Sequence, residues 1–216
     1  MHHLTDTEKR ILEAATHVFL QKGKDGARMQ EIAERARINK ALLHYYFRSK
    51  DRLYEEVFRR VFTRVLGGLF ESIPETTDIR QFLQFFVSGY IDRLAENPDM
   101  VTFAYWEIRQ GGETFAKVFK EAVDRYGGGR NPLLDVIERA IRNGSMRSVD
   151  PVHFVISMVA VCVYSFLARP ILKNIMPEVQ VNSPEFLSRR KREIVDLLWR
   201  GVRPSAEDDT TSEDVG

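Results

Sequence analysis

A chain of 216 residues with 44% hydrophobic content holds enough apolar side chain for one large core or two small ones. Its single cysteine, Cys162, excludes an intramolecular disulfide and a thiolate metal cluster, and points to a reducing, cytoplasmic setting. The formal net charge of +1 conceals a gradient: residues 1–60 carry 13 Lys/Arg against 9 Asp/Glu, and residues 61–216 carry 19 against 22. A basic N-terminal segment suits local contact with a polyanion, although many solvated helices carry such a surplus.

No charged segment followed by an apolar stretch opens the chain, so no secretion signal is expected. The longest uncharged apolar run, Phe154 to Ala168, is 15 residues. A membrane-spanning helix needs roughly 20, so a buried helix is expected there and no membrane partner.

Taken in order, the elements are all helical. Thr5 and Glu8 form a capping box, and Ile11, Leu12, Ala15, Val18 and Phe19 recur at helical spacing until Gly23. A short helix from Met29 to Ala36 turns Ile32, Ala33 and Ala36 inward. Arg37-Ile38-Asn39 breaks it, and Asn39 caps a second short helix from Lys40 to about Phe47. Ser49 opens a long helix striped by Leu53, Val57, Val61, Val65 and Leu69 and closed by Pro74. Further helices are expected from Ile79 to Asn97, Met100 to Gln110, Glu113 to Tyr126 and Pro132 to Arg142. Asp150-Pro151 starts an apolar helix ending near Pro170, and Ser183-Pro184 starts the last one. From residue 204 on, acidic residues without apolar partners read as a disordered tail.

The stretch from residue 28 to residue 53, RMQEIAERARINKALLHYYFRSKDRL, has the layout of a helix-turn-helix. On the wheel of its second helix, Leu43, Tyr46 and Phe47 fall on one side. Ala41, His44, Tyr45 and Arg48 fall on the other, with Leu42 at the edge. A small residue, an imidazole, a phenol and a guanidinium on one face suit a major groove and its phosphate walls. Lys40, Lys50 and the helix-start amides suit phosphates. Short helix pairs of this composition also occur as plain surface hairpins.

From about Thr7 to Val57 the chain resembles the N-terminal domain of TetR-family transcriptional regulators. The matching pieces are EKRILEAATHVFLQKG and QEIAERARINKALLHYYFRSKDRLYEEV, and YYF followed by R-S-K-D-x-L is the most diagnostic part. Beyond it only the layout agrees, together with the turn NGSMRSVDP. The resemblance implies that Lys40, Ala41, His44 and Tyr45 face a double-stranded DNA operator, that Lys50 grips a phosphate, and that Leu43 and Phe47 pack inside.

Three residues depart from the family pattern. Arg37 stands where the family usually has Gly, at a cost of about 1 kcal/mol if the turn keeps positive φ. Arg28 replaces a frequent Thr cap and so frees a guanidinium for phosphate. Leu42 replaces a common polar residue. The DNA-binding set is therefore Arg28, Arg37, Asn39, Lys40, Ala41, Leu42, His44, Tyr45 and Lys50.

In that family the body binds a small effector and dimerises through its last two helices. Here the aromatic-rich segment from Phe82 to Phe115 is the candidate sensor. Aromatic stripes usually just pack, but collectively Phe62, Phe82, Phe86, Tyr90, Phe103, Trp106, Arg109, Phe115, Met158 and Cys162 suit a small lipophilic or aromatic effector. The apolar helix after Pro151 needs neighbours on every side. Val155, Val159 and Phe166, with Leu187, Ile194, Leu197 and Leu198, are the expected homodimer interface.

No catalytic grouping, metal-ligand spacing or phosphate loop is found, and no cofactor is expected. The expected architecture is all-α. An N-terminal three-helix helix-turn-helix DNA-binding domain (1–49) is joined by a long helix to a helical effector-binding and dimerisation domain (50–203), with an acidic tail (204–216). The expected function is a ligand-responsive repressor on a palindromic operator, or alternatively a constitutive DNA-binding regulator without an effector.

Overall fold

The structure, a computed structural model, describes residues 4–74 and 78–204. The expected acidic tail beyond Pro204 and the pair His2-His3 lie outside the described residues. Every regular element is helical, and no strand occurs among the described residues.

The chain forms two compact units. The first comprises residues up to Val65 together with Asn97–Ala122. It contains α1 (Asp6–Gly26), α2 (Met29–Arg35), α3 (Lys40–Tyr46), α4 (Lys50–Phe62), α7 (Pro98–Arg109) and most of α8 (Glu113–Gly127). The Thr5 hydroxyl accepts from the Glu8 amide at 3.2 Å while the Glu8 carboxylate receives the Thr5 amide at 2.8 Å, the expected capping box. Asn39 accepts from the Leu42 amide at 2.7 Å and Ser49 from the Arg52 amide at 3.2 Å, so α3 and α4 start where their caps stand.

Gly23 interrupts α1 with φ 65° and ψ 178°, and a further turn runs on to Gly26. The reason lies on α7. A Cβ at Gly23 would come within 2.8 Å of Trp106 Cε3, and the Trp106 indole N–H donates to the Leu20 carbonyl at 3.3 Å. The indole thus fills the space of a side chain and satisfies a carbonyl that the helix end leaves open.

The long helix expected from Ser49 is not uniform. After α4 a π-helical stretch spans Thr63–Gly67, followed by α5 (Gly68–Glu71). Leu53, Val57, Val61 and Val65 are all buried and repeat every four residues. That overshoots a 3.6-residue period by about 40° per step, and the wider π turn absorbs the accumulated drift.

The second unit comprises Leu66–Glu96 and the chain from Val123 on. It holds α5, α6 (Ile79–Glu96), α9 (Pro132–Arg142), α10 (Pro151–Leu167), α11 (Arg169–Ile175) and α12 (Pro184–Val202). Its centre is α6, whose Ile79, Phe82, Leu83, Phe86, Val87, Tyr90, Ile91 and Leu94 are all buried. Around it pack α5, α10 and α12. Asp150 and Ser183 cap α10 and α12 through the amides of His153 (2.9 Å) and Phe186 (3.1 Å), each with Pro in the first turn.

Pro170, expected to close α10, instead starts α11 after a 61° bend. The turn NGSMRSVDP closes onto the chain's last helix: the Arg147 amide and Nε donate to the carbonyls of Val202 (2.9 Å) and Gly201 (2.6 Å). Among the described residues no single helix is long and apolar enough to cross a membrane.

Candidate nucleic-acid interface and the sites behind it

The outward face of α3 follows from its inward one. Leu43 is fully buried, so the residues on either side of it in the helical period point out. Lys40, Ala41, Leu42, His44 and Tyr45 are exposed, Tyr45 at 78% and Leu42 at 37%. Tyr45 stands edge-on to Tyr46 with ring centroids 5.5 Å apart, and His44 Nδ1 lies 3.4 Å from the Arg48 carbonyl. Phe47, expected inside, is half-buried at the C-cap, where the backbone turns extended.

The turn into α3 keeps positive φ although its residue is not glycine. Arg37 has φ 56°, and its side chain is exposed. Arg28 occupies the N-cap of α2 without a side-chain hydrogen bond, and its guanidinium is exposed too. Lys50 is placed differently. Its Nζ lies 3.3 Å from the carbonyls of both Asp25 and Ala27, so the ammonium ties α4 to the end of α1. The third N–H remains for an anion.

Arg52 and Arg60 lie outside the expected DNA-binding set. They line one open groove with Arg48, Tyr46 and Phe47. On α4, Arg52, Glu56 and Arg60 follow one another at four-residue spacing, so that side of the helix carries both signs of charge.

Behind this face an aromatic ladder runs through the first unit. Phe19 on α1 meets Tyr54 on α4 edge-on at 5.0 Å, and Tyr54 meets Phe103 on α7 at 5.9 Å. Phe103 meets Phe58 at 6.0 Å; Phe58 and Phe62 in turn meet Phe115 on α8 at 5.8 and 5.6 Å. Phe62, Phe103 and Phe115, expected as effector contacts, therefore each meet other rings of the ladder through ring edges, a favourable geometry in its own right.

Glu107 is 3% exposed and accepts from the Phe115 amide at 2.9 Å, capping the start of α8. The Tyr54 hydroxyl is buried without a partner in hydrogen-bonding geometry. Burial first, and then the nearby Glu107 charge, hold its phenol well above the ordinary range.

Two of the expected effector contacts lie outside that ladder. Trp106 packs on Gly23, and Arg109 is exposed, its guanidinium lying over the rings of Tyr105 (5.9 Å) and Trp106 (5.8 Å). The sequence could not show that Gly23 leaves room for an indole. The other expected contacts, Phe82, Phe86, Tyr90, Met158 and Cys162, are buried in the second unit. The ten therefore divide between the two units.

The expected dimer residues divide as well. Phe166, Ile194 and Leu198 are buried within the protomer, where α6, α10 and α12 pack against one another. Val155, Val159 and Leu187 are half-buried, and Leu197 is 63% exposed. The open apolar stripe consists instead of Val152, Ile156, Tyr164 and Leu167 on α10, continued by Ile171 and Ile175 on α11. Among the described residues no group of three His, Cys, Asp or Glu side chains could hold a metal ion.

A three-helix head, with an outward face of lysine, histidine and tyrosine on its third helix, defines a helix-turn-helix DNA-binding protein. Comparison with known proteins makes this specific. Residues 11–57 match bacterial regulatory proteins of the tetR family, and residues 80–198 match a tetracyclin repressor-like C-terminal domain. The chain belongs to the TetR family and is a DNA-binding transcriptional regulator.

Among its relatives is the HTH-type transcriptional activator FasR of Mycolicibacterium smegmatis, 37% identical over 83 residues, a match spanning 38% of each protein. The HTH-type transcriptional repressor SCO4008 of Streptomyces coelicolor is 28% identical over 156 residues, 70% of this chain and 76% of the relative. The crystal structure of the transcriptional regulator SCO4942 from Streptomyces coelicolor superposes with a TM-score of 0.68 at 25% identity, covering 92% of this chain and 100% of that one. FadR from Bacillus subtilis, solved in complex with stearoyl-CoA, shares the fold at 16% identity, with a TM-score of 0.67 and coverage of 88% and 97%.

Proposed function

We propose that this regulator is a cytoplasmic repressor that binds a palindromic operator as a homodimer and releases it when a small lipophilic molecule binds. The observation carrying the DNA half is the α3 face, where Lys40, Ala41, His44 and Tyr45 stand exposed around a fully buried Leu43. Tyr45 and Ala41 suit base edges, while Lys40, Arg28, Arg37 and the free N–H of Lys50 suit phosphates. The α2 and α3 starts add backbone amides.

The homodimer rests on the exposed stripe Val152, Ile156, Tyr164 and Leu167, with Leu197 beside it as an apolar candidate on α12. A continuous apolar surface of this kind on a soluble regulator suits a second copy by two-fold symmetry. Two copies would offer two α3 helices to half-sites about one turn or more apart.

Release rests on the aromatic ladder. A ligand that shifts α7 or α8 acts on Phe103 or Phe115, these act on Tyr54 and Phe58 of α4, and Tyr54 acts on Phe19 of α1. Such a ligand must bind the released arrangement more tightly than the operator-bound one, or nothing shifts. FadR, of the same fold, was solved with an acyl-CoA, which supports a lipophilic effector for this chain.

The test is an operator-binding titration at several salt concentrations, using DNA next to the protein's own gene. Tyr45→Ala should lower affinity while the melting temperature holds. Lys50→Ala should lower both, because it also unties the end of α1. If Tyr45→Ala bound like the parent, this DNA face would be the wrong one.

A further inference from the structure

The core of the second unit contains polar groups that packing alone does not explain. Arg190 lies on the α12 side that carries the buried Ile194 and Leu198, and its Nη2 donates to the Val161 carbonyl of α10 at 2.9 Å. Its Nε is sealed from solvent and donates to nothing. Among the described residues, no carboxylate lies within ion-pairing distance of Arg190. The neighbouring Lys191 takes Asp92 of α6.

One helical turn beyond Val161 stands Ser165, 4% exposed, whose hydroxyl also meets no partner. Between them Cys162 is fully buried. Burial pushes its thiol up to about 12 against the opposing charge of Arg190, so it stays neutral. From α6, Tyr90 comes close enough to Cys162 to feel it, and burial holds its phenol well above the ordinary range. Around Cys162, three helices thus place a half-buried guanidinium with a sealed Nε and two hydroxyls, beside a thiol that adds no negative charge.

A sealed donor without an acceptor is costly, and both the Arg190 Nε and the Ser165 hydroxyl are such groups. Met at 190 and Ala at 165 would keep the helices and remove both costs. What the cluster offers is donors: guanidinium N–H groups that cannot accept, and two hydroxyls free to turn toward an acceptor. That set complements a carboxylate, which takes up several donors at once. The surroundings are apolar: Phe86 packs on Tyr90 at 5.5 Å, and Met158 lies one turn before Cys162 on α10, fully buried.

Building on the reading above that a lipophilic effector releases the operator, but not on its route through α7 and α8, we propose that the effector is a lipophile bearing a carboxylate. Its head is received by Arg190 and Ser165 with Tyr90, and its apolar body lies toward Phe86 and Met158. The anion completes the donors that the ligand-free protein leaves unused.

Decanoate, methyl decanoate and decan-1-ol are the probes, titrated calorimetrically into the full-length protein and then tested for operator release. Decanoate should bind at least about tenfold tighter than the ester or the alcohol. Arg190→Met should abolish that difference, and Ser165→Ala should reduce decanoate affinity several-fold. Without ligand, Arg190→Met should melt no lower than the parent and still bind operator, because the cost it removes is a buried unpaired donor.

An ester or alcohol that binds and releases operator as well as the acid would overturn this inference and leave the effector reading standing. So would undiminished decanoate affinity in Arg190→Met, or a lower melting temperature of that variant. Failure of all three probes to bind or to release operator would overturn the inference and count against a lipophilic effector as well.

Discussion

The cores of the two units contrast in what their conspicuous side chains do. In the first, phenylalanines that looked from the sequence like a ligand lining touch one another through their ring edges, and the buried Glu107 carboxylate is occupied by the Phe115 amide. In the second, Arg190 and Ser165 keep two buried donors with nothing to give them to, against the single Tyr54 hydroxyl of the first, which has the Glu107 charge nearby. Aromatic residues are self-sufficient because they satisfy one another. Polar residues in a core are not, so their unmet bonds say more about a ligand than any number of rings.

The sharpest way to break this comparison is Phe103→Ala. If the ladder is packed core, the loss should be about 3–5 kcal/mol in urea denaturation, as for other buried phenylalanines. A loss under about 1 kcal/mol would mean the site was already open enough to be a lining. Gly23→Ala should come next, at roughly 2–4 kcal/mol, because it adds positive-φ strain to a collision with the Trp106 ring. A Trp106→Gly, Gly23→Ala double variant should recover the collision part but not the strain.

Arg37→Gly should move stability the other way, by up to about 1 kcal/mol, since only the backbone strain at φ 56° is relieved. If Arg37 also touches a phosphate, the salt dependence of operator binding should flatten by about one counterion.

The smallest effect concerns pH. Burial, the largest influence on Glu55, raises its pKa, but hydrogen bonds and charges from Lys117 and Arg59 together lower it below the ordinary value. A lowered carboxylate stabilises the fold above its unfolded pKa. That contribution fades as pH falls through the still lower folded value. Melting temperature should therefore drop on acidification below the usual carboxylate range, and Glu55→Gln should flatten that part of the profile.

What the sequence revealed was local. Thr5, Asn39, Ser49, Asp150 and Ser183 each act on an amide only three residues on, so their helix starts could be placed without knowing the fold. The outward face of α3 followed from the helical period alone. What stayed hidden depended on partners far along the chain. Trp106 reads as a free aromatic until Leu20 and Gly23 are known to lie beneath it. Ile194, Leu197 and Leu198 are equally apolar, and only the position of α6 decides that the first and last turn inward and Leu197 outward. The π turn was missed because the four-residue stripe runs on through it to Val65 and Leu69, and α11 because Pro170 reads as a helix stop when it stands in a first turn.

The union of Trp106 with the end of α1 also has a consequence for how the protein is made. The reading head is not finished when its own three helices have been synthesised, because α7, which closes over α1, is encoded far downstream. At roughly 5–20 residues per second, a ribosome that has just passed Phe47 needs on the order of 3–12 seconds more to reach the tryptophan. During that interval the nascent head lacks its indole plug. The packing of the head is therefore completed only when a stretch of the chain far downstream has been translated.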